Sequence, residues 1–188
     1  LKNSESFSLK KGSAGPKKER AVTKSSVTNS DYLSALTLVK KGKDYLDQGQ
    51  FGKAISTLKE SLIQIENYIK YLETIDPIAD AYLYMSIAFF QQGMSVNGEE
   101  FLSKFVSLQP NMVTLKGDYP PAFTRVYRQI RNRVLKNRRS QIEVTGTESG
   151  APVWFDGKVV GQSPVVLNRA VLGSHYIRVI GSDGEIFA

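Results

Sequence analysis

The hydrophobic period changes once along this chain, and it changes abruptly. Up to about residue 136, apolar side chains recur in steps of three and four; from Gln141 onward they alternate. A period near 3.6 buries one stripe of a helix, and a period of two buries one face of a strand. The 188-residue chain is therefore expected to be α+β with two domains, helices first and short strands after, the switch falling at Ser140-Gln141. Apolar residues at 41% and charged residues at 23% are ordinary globular values, so most of the chain has enough apolar surface for a core.

Within residues 31–118 the helical pattern comes in pairs. Ser30 and Asp31 suit the start of a first helix with Leu33, Leu36 and Tyr45-Leu46 on its apolar face. Gln48-Gly49-Gln50 interrupts it. Phe51, Ala54, Ile55, Leu58, Leu62 and Ile65 then mark a second helix, read as continuing through Leu72. Asp76-Pro77 opens a third, because proline at a first-turn position loses no hydrogen bond, and Tyr82, Met85, Ala88 and Phe89 form its stripe. Gly93 breaks it. A fourth helix carries Leu102, Phe105 and Leu108, with Glu99-Glu100 expected in its first turn.

These residues resemble the tetratricopeptide repeat, a helix–turn–helix unit of 34 residues. Gly42, Tyr45, Gly49, Phe51, Ala54, Leu58 and Leu62 follow the family's order in one copy, and Phe89, Gly93, Leu102 and Pro110 in a second. The turn glycines lie ten residues further apart than one repeat, and Gly98 replaces the usual alanine. The resemblance implies a concave protein-binding groove, faced here by Lys43, Asp47, Asp80, Leu83, Phe90 and Gln91.

Residues 119–140 read as a basic linking helix. Phe123, Val126 or Tyr127, Ile130 and Val134 make its apolar stripe, and Arg125, Arg128, Arg131, Arg133, Lys136, Arg138 and Arg139 fill the rest without one acidic residue. The basic residues are a solvated face or a site for an anionic partner.

Residues 141–188 hold the alternating segments. Asp156-Gly157 between β-formers is a strong two-residue hairpin signal, and Gly161, Ser163-Pro164, Gly173 and Asp183-Gly184 punctuate further strands. With Glu148-Ser149-Gly150-Ala151, Val153, Phe155, Asp156-Gly157-Lys158, Gly161, Ser163-Pro164, Leu167 and Gly173-Ser174-His175, this stretch resembles the PEGA domain, which implies a small β-sandwich. Its last strand is expected beyond Ala188, making the module truncated here or completed by other sequence.

Residues 1–30 carry seven Lys/Arg against two Glu, few apolar residues and no period. Such a segment cannot bury enough surface to offset its ordering entropy. It reads as a basic extended tail, either a linker or an arm that orders on another protein through Phe7, Leu9 and Val22. The chain starts at Leu1 without a leader pattern, as expected of a processed chain or a piece of a longer one.

The chemistry available is narrow. There is no cysteine and a single histidine, His175, so thiolate and multi-histidine metal sites are excluded. Adjacent Glu99 and Glu100 diverge around a helix, a poor acid–base pair. No phosphate-cradling loop is present. His175 is expected to be a structural polar residue. Nucleic acid is disfavoured, because nothing resembles a base-reading element and both flanking domains are net acidic. No window is apolar enough to span a membrane. The expectation is a non-enzymatic chain with no cofactor and no metal. The two resemblances imply a scaffold or adaptor of a bacterial periplasmic or cell-envelope assembly. Its partners would be proteins, further copies of itself among them; the alternative is a surface protein whose β-module binds wall or surface glycan.

Overall fold

The computed structural model describes residues 29–115, 117, 119–136, 140–145, 148–181 and 186–187. The basic tail with Phe7, Leu9 and Val22 lies outside them, as do Arg138 and Arg139. Five helices come first: α1 (Asn29–Asp47), α2 (Phe51–Asn67), α3 (Asp76–Gln91), α4 (Ser95–Leu108) and α5 (Pro121–Lys136). Six strands follow: β1 (Ser140–Val144), β2 (Pro152–Phe155), β3 (Lys158–Gln162), β4 (Val165–Ala170), β5 (Ile177–Ile180) and β6 (Ile186–Phe187). The fold is mixed α and β, with helix giving way to strand between Lys136 and Ser140.

The same turn joins α1 to α2 and α3 to α4. At the first, Gln50 N–H reaches the Tyr45 carbonyl at 2.8 Å and Gly49 N–H the Leu46 carbonyl at 3.0 Å. At the second, Met94 reaches Phe89 at 2.9 Å and Gly93 reaches Phe90 at 3.0 Å. This is the paired 6→1 and 5→2 bonding of a Schellman cap, which needs a left-handed residue; Gly49 (φ 72°) and Gly93 (φ 75°) supply it.

Four boundaries differ from the sequence expectation. Helix α1 begins at Asn29, ahead of Ser30 and Asp31, and the helix expected over 119–140 spans Pro121–Lys136, with Ser140 already paired in β1. The second helix stops at Asn67, and Ile69–Tyr71 forms a separate 3-10 turn before Asp76. The fourth helix starts at Ser95, immediately after its compact turn. Glu99 and Glu100 therefore lie one turn in, where each takes a cation instead of the helix start: Glu99 bonds Arg133 at 2.9 Å and Glu100 bonds Lys104 at 2.8 Å.

The helical core is continuous. Ala54, Leu58, Ile65, Ile78, Met85, Ala88, Leu102 and Val106 are 0% exposed. Of α5, Tyr127, Ile130 and Val134 are buried and Phe123 and Val126 are half-buried, so the apolar stripe uses both Val126 and Tyr127. The Tyr127 hydroxyl donates to the Met112 carbonyl.

The strands form two antiparallel sheets, one pairing β1 with β4 and one in the order β3-β2-β5-β6. Asp156 and Gly157 make the β2–β3 turn, with Phe155 opposite Lys158 and positive φ at both turn residues, 48° and 76°. This is the left-handed pair that a two-residue hairpin matched to strand twist demands.

The strand-built part rests on the helices. Arg178 of β5 donates to the Lys70 and Leu72 carbonyls at 3.1 and 2.8 Å. The Tyr176 hydroxyl meets that of Tyr82 at 3.3 Å. Val171 belongs to the buried helical cluster.

Candidate functional site

Helices α1, α3 and α5 share a face on which the expected groove residues come together with three aromatics. Lys43 and Asp47 sit one turn apart on α1 and form an exposed ion pair of 2.5 Å. The Lys43 ammonium also stands 6.0 Å from the centre of the Tyr84 ring on α3. Along α3, Asp80, Leu83 and Tyr84 line a cavity of about 290 Å³ with Asp76, Met112 and Tyr119. One and two turns later, Ile87, Phe90 and Gln91 line a second, of about 240 Å³, with Tyr119, Phe123 and Val126. The two hollows adjoin at Tyr119, which lines both, and the pair is called the trough. Leu83, 5% exposed, is in its floor.

Helical spacing explains the arrangement. Asp80, Tyr84, Ile87 and Gln91 are separated by four, three and four residues, which keeps them on one face of α3. Proline at 120 and 121 then sets the approach of the chain to α5, so that Tyr119 packs at a tilt against Phe123, 5.6 Å between centroids, with Phe90 6.0 Å from Phe123.

The trough has an acidic end. Burial pushes the Tyr84 hydroxyl up to about 12, and the charges of Asp80 and Asp47 add to the push. Tyr119 is raised for the same first reason, burial, with Asp80 and Asp47 raising it and Lys43 opposing. Both phenols stay protonated at neutral pH and keep their O–H donors, with the charges of Asp80 and Asp47 near enough to act on them. Apolar rings with a few fixed donors and acceptors suit the holding of a chain segment. Among the described residues, no group of three or more His, Asp or Glu is placed to hold a metal ion.

The basic residues of α5 divide into two sets. Arg131 donates through Nε to the Met112 carbonyl and through one Nη to that of Pro110, both at 3.0 Å, which ties α5 to the turn after α4. Arg133 bridges to Glu99. Arg125, Arg128 and Lys136 are exposed.

His175 and Trp154 lie elsewhere, at the seam between strands and helices. His175 bonds Asp156 at 2.7 Å with 8% of its side chain exposed. Trp154 is half-buried. The Arg178 guanidinium covers it at 4.4 Å, and Ile69, Leu72 and Ile75 lie alongside.

Sequence reasoning missed Tyr84, Tyr119 and Phe123 in the trough. The available signal was Tyr119-Pro120-Pro121, an aromatic held at a rigid bend beside a helix start. Also missed was the role of Tyr176, whose hydroxyl reaches both Tyr82 and Glu66. No helix among the described residues is long and apolar enough to cross a membrane. No protein-family model, curated protein sequence or solved structure matches the chain.

Proposed function

We propose that this chain is a non-enzymatic scaffold or adaptor that holds a segment of a protein partner in the trough on α1, α3 and α5. The observation that carries the reading is the trough itself. It is aromatic along its length and acidic at one end, with two protonated phenols as donors. Such a surface favours an extended or helical segment with an apolar anchor and a cation toward Asp47 and Asp80.

The reading places the helices with tetratricopeptide-like repeats and the strands with PEGA-like modules. Its support is local. A Cβ on Gly42 would meet Leu58 Cγ at 2.5 Å, and one on Gly98 would meet the Phe90 ring at 2.8 Å. Both glycines therefore stand where helices of a pair cross closely, and the two hairpins share the same cap chemistry, though not the 34-residue spacing of the repeat. The resemblance carries with it the envelope of a bacterium as the place of action. Arg125, Arg128 and Lys136, exposed on α5, would add attraction to an acidic partner, screened beyond about 8 Å at physiological salt.

The test is a comparison of affinity purifications from the native organism using the wild-type chain, Tyr84→Ala/Phe123→Ala and Arg125→Ala/Arg128→Ala, with circular dichroism confirming each fold. The proposal expects specific protein partners to be lost from the trough variant and kept by the arginine variant, more weakly at low salt and with less dependence on salt. Identical partner sets from all three chains would overturn it.

A further inference from the structure

His175 is the sole histidine of the chain, and both of its ring nitrogens face oxygen. Nδ1 lies 2.7 Å from Asp156 Oδ2 and Nε2 lies 2.5 Å from the Val171 carbonyl oxygen. A carbonyl only accepts, and so does an ionised carboxylate; both contacts are hydrogen bonds only when the ring carries two protons. A neutral ring has one N–H, and its other nitrogen would turn a buried lone pair toward an acceptor. The Phe155 ring stacks on the imidazole at 4.7 Å between centroids.

The same loop fastens strands to helices. Asp156 Oδ1 accepts the Tyr176 N–H at 3.0 Å, and Asp156 N–H donates to the Tyr176 carbonyl at 2.9 Å. The Tyr176 hydroxyl then reaches Tyr82 on α3 at 3.3 Å and Glu66 on α2 at 3.2 Å. At the other end of the loop, the Gly173 backbone packs so closely on Ser107 of α4 that a Cβ would come within 2.7 Å of it.

Among the described residues, the charged and titratable groups around the imidazole are few. The hairpin brings Asp156, and the loop residue just before β5 brings the Tyr176 hydroxyl, with Tyr82 and Glu66 behind it. Helix α4 brings uncharged Ser107. Helix α5 brings Arg131 to the same cleft of about 470 Å³, and that guanidinium already donates to the Pro110 and Met112 carbonyls.

We propose that His175 is a proton-operated latch that holds the 171–176 loop, and with it the strand-built part, seated on the helices when charged, and loosens that seam when neutral. Burial pushes the imidazole down, but its bonds to Asp156 and Val171 and the Asp156 charge outweigh burial, and the net direction is up from 6.5. A group raised in the folded state contributes fully below its unfolded value, and the contribution fades as pH climbs through the folded value. The seam is thus complete below about pH 6.5 and loosens above the raised value.

The single tryptophan provides the readout. Trp154 points to the opposite side of β2 from Phe155, toward Ile69, Leu72 and Ile75, and senses the seam without touching the imidazole. On the full chain, the imidazole is titrated by NMR and Trp154 emission is followed from pH 5 to 9, with far-ultraviolet circular dichroism as a check on folding. The latch expects a histidine midpoint above about 6.5 and a red shift of Trp154 emission at that midpoint. His175→Gln should abolish the emission step. Tyr176→Phe, which keeps the imidazole but removes the hydroxyl clasp, should leave the histidine titration in place and reduce the step, which stands as a test if His175→Gln does not fold. A midpoint at or below 6.5, a titration with no change at Trp154, or a step that survives in His175→Gln would each overturn the latch.

Discussion

Gly157 shows how much a single position can decide. Its φ of 76° is a region that costs other residues about 1–2 kcal/mol. A Cβ there would also stand 2.7 Å from the Ile75 backbone nitrogen, which cannot move aside as a flexible side chain could. Strain and clash act together, so Gly157→Val should destabilise by about 2 kcal/mol or more, read as a lower Tm in thermal unfolding. An unchanged Tm would mean that the turn and the seam both adapt. The turn itself was legible from Asp156-Gly157 between β-formers. The second task of Asp156 was not, because His175 is 19 residues away and only the folding of β5 beside β2 brings it near.

Helix α5 was legible as an element and only half legible in its chemistry. Its stripe of Tyr127, Ile130 and Val134 follows from spacing alone. Nothing in spacing separates Arg131, which holds two carbonyls, from Arg128, which faces solvent, because those carbonyls belong to an irregular turn with no pattern. Arg131→Ala should cost about 1–2 kcal/mol, the range for charged hydrogen bonds discounted for partial exposure, whereas Arg128→Ala should stay within about 0.5 kcal/mol. Denaturant unfolding of the two variants checks the difference. The first hairpin offers a second contrast. Alanine in place of glycine gains up to about 1 kcal/mol of helix propensity. At Gly52, where Gln92 Nε2 at 3.7 Å is the nearest neighbour, that gain should appear as a higher midpoint. At Gly42 the new methyl group would collide with fully buried Leu58, and overpacking of about 1–3 kcal/mol should reverse the sign.

At the scale of the molecule, the order of helices and then strands could be read from the change of period at Ser140, and the docking of one on the other could not. It rests on backbone carbonyls of Lys70 and Leu72, which have no sequence signature, and on Arg178, which looks like an ordinary strand residue. Arg178→Ala should remove two charged hydrogen bonds and the cover over Trp154. The expected loss is about 2 kcal/mol, or roughly 4–8 °C in Tm for a chain of this size. Scanning calorimetry of the two chains should show a broader or more divided unfolding profile for Arg178→Ala than for the wild type. A sharp transition at unchanged temperature would show that Tyr176 and the Gly173 contact suffice.

The two turn glycines, Gly49 and Gly93, stand further apart than one 34-residue repeat would place them, and the added length includes the 3-10 turn Ile69–Tyr71 and the approach to Ile75. Those are the residues on which Gly157, Trp154 and Arg178 lie. What looks from the repeat like surplus chain is therefore the seat of the other half. This limits portability. Trimming the connector to a regular repeat length would tidy the helices and leave the strands without their ledge, and a transplanted strand module would have to carry residues 69–75 with it as part of its own surface.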